Sequence, residues 1–93
     1  MHKYLIVAKI VKKVDENQKQ KEKKIKKELN KKLKYIENLK YKISIYKEEK
    51  TYKIKISLKG LVYIKNLKNL VIKALESFVL IKIKTQFIST LER

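Results

Sequence analysis

The stretch VLIKIKTQF, residues 79–87, decides the fold, because it reads as either of two elements. Val79, Ile81, Ile83, Thr85 and Phe87 alternate as in a half-buried strand, and β-branched and aromatic residues favour that state. Val79, Ile83, Phe87 and Leu91 are also four residues apart, with Leu80 beside them, which is the spacing of a helix whose apolar side has rotated. No Gly, Asn or Pro stands between Glu76 and Lys84 to stop a helix arriving from the N-terminal side. The missing stop signal predicts a last helix from residue 61 to about residue 90. One stripe of it would lie on a sheet, and a second, around Leu70, Leu80, Ile83 and Phe87, would be left for a protein partner. Read as a strand, the same residues would supply a fourth strand, 79–88, and complete a ferredoxin-like βαββαβ unit.

Upstream, Leu61, Ile64, Leu67, Val71, Ala74, Leu75 and Phe78 keep helical spacing. They follow Gly60, the only glycine, which suits an N-cap or the turn into that helix. Before it come two alternating runs, with Tyr41, Ile43 and Ile45, then Tyr52, Ile54, Ile56 and Leu58, directed inward. The polar stretch KEEKT, residues 47–51, joins them, so they predict an antiparallel hairpin with one buried and one wet face. Tyr46 falls on the wet face, where it could stack a base.

Further back, Ile25, Leu29, Leu33, Ile36 and Leu39 form one stripe, predicting an amphipathic helix over residues 19–39 whose remaining surface is lysine. The segment DENQ, residues 15–18, offers caps and places Asp15 and Glu16 where the helix dipole favours acid. The first element, YLIVAKIVK at residues 4–12, is apolar on both faces and predicts a strand covered on two sides. The expected fold is a single α+β domain over residues 1–93: strand, helix, β-hairpin and long helix, with a three-stranded antiparallel sheet packed on two helices. The ferredoxin-like unit is the alternative.

Composition bounds the chemistry. The chain has 26 basic and nine acidic residues, a formal net charge of +17, and no cysteine or proline. Such a charge costs stability by self-repulsion unless a polyanion supplies counter-charge, although lysine-isoleucine richness is also what an AT-rich, thermophilic genome yields. Only Arg93 is an arginine. Lysine neutralises phosphate as a point charge and lacks the planar fork that reads base edges, so bound nucleic acid is expected to be held by its backbone. The lone His2 and the missing thiols give no zinc or redox site, the acids are scattered, and no glycine-rich phosphate loop occurs. We therefore expect a non-catalytic protein with no cofactor and no metal. Unbroken apolar runs such as LIVA at residues 5–8 are far short of a membrane span, and no signal-peptide core is visible. A cytoplasmic location without membrane contact is expected. The densest basic stretch, KQKEKKIKKELNKKLK at residues 19–34, supplies the candidate phosphate-binding residues Lys19, Lys21, Lys23, Lys24, Lys27, Lys31 and Lys34.

The order strand, helix, hairpin and long helix resembles the small Pcc-type subunits of the KEOPS complex, which makes the threonylcarbamoyl-adenosine modification of tRNA. In residues the likeness lies in the last third, where TYKIKISLKG leads into Leu61, Ile64-Lys65, Asn69, Ile72-Lys73 and Leu75. The family pattern there is L-x-x-L-R-x-x-x-N-x-x-L-R. Lysine replaces its arginines, Gly60 replaces a polar residue before the helix, and Lys68 replaces an apolar one. The resemblance implies a non-catalytic accessory subunit that dimerises with itself or with a different chain, packs on a catalytic KEOPS-type subunit and contributes to a tRNA-binding surface. It adds Lys65 and Lys73 to the candidate residues.

Overall fold

A computed structural model of the chain describes residues 2–13, 17–61 and 65–90, with side chains as far as residue 86. Among these residues the elements run β1 (His2–Val11), α1 (Gln18–Leu33), β2 (Leu39–Lys47), β3 (Thr51–Gly60), α2 (Leu67–Ala74) and β4 (Leu80–Thr90). The strands form one antiparallel sheet in the order β2-β3-β1-β4. The expected α+β class holds, and the layout is the ferredoxin-like βαββαβ arrangement that the strand reading of residues 79–88 anticipates.

The C-terminal segment corrects the long-helix expectation. Leu75 leaves helical geometry at φ −99° and ψ 12°. Its N–H donates to the Val71 and Ile72 carbonyls at 3.0 and 3.2 Å, and the Phe78 N–H donates to the Leu75 carbonyl at 3.0 Å. Leu75 and Phe78 are both buried, so the turn is closed by backbone hydrogen bonds and anchored in the core without a glycine. Immediately afterwards the Val11 N–H donates to the Val79 carbonyl at 2.9 Å, and the β1–β4 ladder begins. A helix continued to residue 90 would leave the second edge of β1 without backbone partners, whereas the strand satisfies both chains at once.

Two register shifts interrupt this ladder. Ile10 faces Leu80 while Lys9 faces Lys82, which leaves Ile81 as an extra residue, and Ile88 is extra in the same way between Phe87 and Ser89. The first bulge puts Leu80 and Ile83 on one face despite their odd spacing, and both pack against the core. Ile81 remains 55% exposed. The expected second stripe of a terminal helix is therefore absent: Leu70 is half-buried on α2, Leu80 and Ile83 belong to β4, and the Phe87 backbone pairs with Tyr4. The Phe87 side chain and Leu91 lie outside the described residues.

The hairpin matches its expectation, with Ile43 opposite Ile56 and Ile45 opposite Ile54. Its inward residues join Tyr4, Ile6, Ala8 and Ile10 of β1, Ile25, Leu29 and Leu33 of α1, and Leu67, Val71 and Ala74 of α2 in one core. Helix α1 packs on α2 and β2, and α2 on β4. Helix α1 is shorter than residues 19–39. Asn17 caps it by accepting from the Gln20 N–H at 3.2 Å, and after Leu33 the chain turns through Asn38 at φ 57°. Ile36 and Leu39, which fit the helical stripe, reach the core from the turn and from β2. Asp15, Glu16 and Ile64 lie outside the described residues.

Gly60 does not make the junction to α2. It is buried as the last residue of β3, between His2 and Leu39 on the neighbouring strands. The left-handed position before α2 is taken by Asn66, at φ 57° and ψ 29°. The second face of β1 also differs from expectation, because both helices lie on the other side of the sheet. Leu5, Val7 and Val11 are half-buried there among the side chains of neighbouring strands.

Thr85 faces the core side, opposite Ile6, and its hydroxyl is buried without a hydrogen-bond partner. Thr85→Val should raise stability by about 1 kcal/mol in urea unfolding, since it removes an unsatisfied polar group. In the same assay Asn66→Ala should lower stability by roughly 1–2 kcal/mol and Asn66→Gly by much less, because only a left-handed backbone penalises the Cβ.

Candidate nucleic-acid interface

Side chains alternate across a sheet, so the face turned away from the helices is composed by strand register. Its first row runs Lys40, Lys59 and Lys3 across β2, β3 and β1. The next runs Lys42, Ser57, Leu5 and Gln86, the third Ser44, Lys55, Val7 and Lys84, and the fourth Tyr46, Lys53, Lys9 and Lys82. Lysine stands directly opposite lysine at Lys3–Lys59, Lys40–Lys59, Lys9–Lys53 and Lys9–Lys82. Like charges in such positions, with Cβ atoms about 4.5–5.5 Å apart, oppose sheet formation. None of the four described strands contains an Asp or Glu.

The acid that reaches this face comes from the hairpin turn. The Glu48 carboxylate accepts from the Thr51 hydroxyl at 2.7 Å and lies 3.3 Å from the Lys9 ammonium. The Lys12 ammonium donates to the Glu48 carbonyl at 2.6 Å. Half-buried Val7 stands between Lys55 and Lys84, and the aliphatic stem of a lysine can lie along an apolar neighbour while its ammonium group stays in water. A shallow concavity of about 430 Å³ lies at the Lys3, Lys40, Lys42 and Lys59 end. Tyr46, 50% exposed on edge strand β2, shares the row of Lys53 and Lys9. Paired aromatics that would stack bases on the central strands are missing from β1 and β3 on this face.

The lysines singled out by sequence density lie elsewhere. Ile25, Leu29 and Leu33 turn α1 onto the core, which directs Lys23, Lys27, Lys31 and Lys34 to the opposite side of the helix, all exposed. Lys19 is exposed near its start. Lys21 and Lys24 stand over the Phe78 ring, at 5.2 and 5.6 Å from its centroid, so both contribute to holding the turn before β4. Lys31 pairs with Glu28 at 3.5 Å along the helix. Lys65 and Lys73 join Lys32, Asn66, Asn69 and Leu70 around a separate concavity. The candidate residues thus divide between α1 and the α2 side, and neither group includes the sheet lysines. The signal for the latter is in the chain: Lys53, Lys55 and Lys59, and separately Lys82 and Lys84, fall on a two-residue period with no acid inside either run.

Among the described residues no helix is long and apolar enough to cross a membrane. No group of three or more His, Cys, Asp or Glu among them could hold a metal ion.

No protein-family model matches the chain, and no curated protein does. Solved structures do. The de novo designed protein Ferredog-Diesel superposes with a TM-score of 0.63 at 10% identity, over 90% of this chain and 83% of that one. The C-terminal domain of the MgtC protein from Mycobacterium tuberculosis gives 0.61 at 8% identity, over 92% and 86%. LarC2, the C-terminal domain of a cyclometallase involved in synthesis of the NPN cofactor of lactate racemase, gives 0.50 at 13% identity, over 95% of this chain and 55% of that one. At these identities the likeness is one of fold alone.

The hydrogen bond from Thr51, and then Lys9, hold the Glu48 carboxyl below its ordinary value of 4.5. Its contribution to stability is present above the unfolded-state pKa and is lost as pH falls through the lower folded one. An NMR titration should place its midpoint below 4.5, and Thr51→Val should move that midpoint upward.

Proposed function

We propose that the protein is a cytoplasmic, non-catalytic module that binds RNA or DNA through the phosphate backbone, with the outer face of the sheet as its principal surface. One observation carries this reading: the strands hold lysine and no acid, and place lysine opposite lysine on the face no helix covers. Each such pair costs on the order of a few tenths of a kcal/mol in the isolated protein. A polyanion converts that repulsion into attraction. Genomic lysine bias alone gives no reason for acid to be missing from the four described strands when Glu22 and Glu28 stand among the lysines of α1.

The chemistry of the face fixes the type of recognition. Ammonium groups carried on neighbouring strands, whose backbones lie roughly 4.7–4.9 Å apart, would contact phosphate oxygens without reading base edges. A bound strand is therefore held with weak sequence preference, and tRNA or another folded RNA serves as well as a DNA duplex. Tyr46 adds stacking for a single base at the rim. The resemblance to Pcc-type subunits loses the terminal helix it rested on, because Leu80 and Ile83 belong to a strand packed on the core.

Titration of labelled tRNA and of a 20-base-pair duplex at several salt concentrations tests the proposal. Changing Lys53, Lys55 and Lys84 to glutamine should weaken binding and reduce the slope of log K against log salt by roughly 2–3 for duplex DNA. Unchanged affinity and slope would mean that the sheet face does not meet phosphate, and the proposal would fail.

A further inference from the structure

Resting on that reading, we propose that one copy of the protein engages two separate nucleic-acid segments at once, one on the sheet face and one on the outer side of α1, and so bridges them. The two basic surfaces belong to opposite layers of the molecule. Ile25, Leu29 and Leu33 point α1 into the core that also holds Ile6 and Ile54 of the sheet's inner face. Lys23, Lys27, Lys31 and Lys34 consequently face away from the sheet, and Lys53, Lys55 and Lys84 face away from the helix. No surface-following path joins the two without passing round an edge of the domain.

Dimensions support simultaneous occupancy. The molecule measures 47 × 21 × 19 Å, so polyanions on opposite faces are separated by about its thickness. That is more than twice the Debye length of about 8 Å at physiological ionic strength, and repulsion between the bound segments is screened. A single short duplex cannot reach both surfaces, because duplex DNA stays straight over about 150 base pairs and would have to fold round a body 21 Å across. Each face therefore takes its own duplex. The helix surface is the weaker of the two, since Glu28 compensates Lys31 and the phosphate-facing lysines there lie along a single line.

The test is co-capture. A 20-base-pair biotinylated duplex on beads, the protein at a concentration where sedimentation shows a monomer, and a second, fluorescent duplex in solution report bridging directly. A parallel set uses RNA duplexes to distinguish the two phosphodiester sources. The wild-type protein should retain the fluorescent duplex on the beads. Lys23, Lys27, Lys31 and Lys34 changed together to glutamine, and separately the Lys53, Lys55 and Lys84 triple change, should each reduce co-capture at least about tenfold while binding to one duplex persists. Arginine at the same positions should restore it, and circular dichroism confirms that each variant is folded. Single-duplex binding by the wild type without co-capture, or full co-capture by either glutamine variant, would overturn the bridging proposal. Absence of any duplex binding by the wild type would instead overturn the binding reading on which it rests.

Discussion

The ladder between β1 and β4 is the interaction on which the remaining architecture depends. It converts β1 from an edge into a central strand, paired on both sides along most of its length. It also takes over where the turn after α2 ends: Leu75, Glu76 and Phe78 donate to preceding carbonyls, and from Val79 onward the backbone partners are on β1. With four strands in place the sheet is wide enough for both helices to share one side of it. The other side is left as a broad, uncovered platform, and its composition becomes the main clue to function.

That platform is an electrostatic compromise. Burial of isoleucine, leucine and valine on the inner face supplies the stabilisation, while the outer face works against it through lysine pairs. Long, flexible lysine stems lessen the conflict by letting the ammonium groups diverge into water. The Glu48 carboxylate relieves one corner, where Thr51 and Lys9 meet it. On the proposed function, a surface so arranged attracts polyanions but has little means of choosing among sequences, since selectivity would need arginine forks or stacked aromatics.

Much of this was legible in the chain, and the exceptions have physical causes. The hairpin stood out because strict alternation in residues 41–58 fits only a sheet with one wet face. The core face of α1 was equally plain from Ile25, Leu29 and Leu33. Helix ends were harder, since Ile36 and Leu39 continue the helical stripe although their burial is achieved from a turn and a strand. At residues 79–87 propensity and the stop-signal rule disagreed, and the deciding factor was tertiary: an unpaired edge on β1 some seventy residues earlier. The bulge at Ile81 further disguised which residues face inward. As for the site, local lysine density draws the reading to α1, whereas the lysines of the sheet face come from separate strands and meet only through register.

The two bulges of β4 have a consequence for how this protein behaves in a crowded solution. Sheets rich in isoleucine and valine, without proline, readily add foreign strands at an open edge and grow into aggregates. Here one edge is β4, where the extra residues Ile81 and Ile88 break the even repeat of the backbone, and the other is β2, whose rim carries Lys40 and Lys42. An incoming strand would meet a kinked template on one side and a row of positive charge on the other. The same irregularity that obscures the sequence pattern thus works against self-templating by a highly β-prone composition.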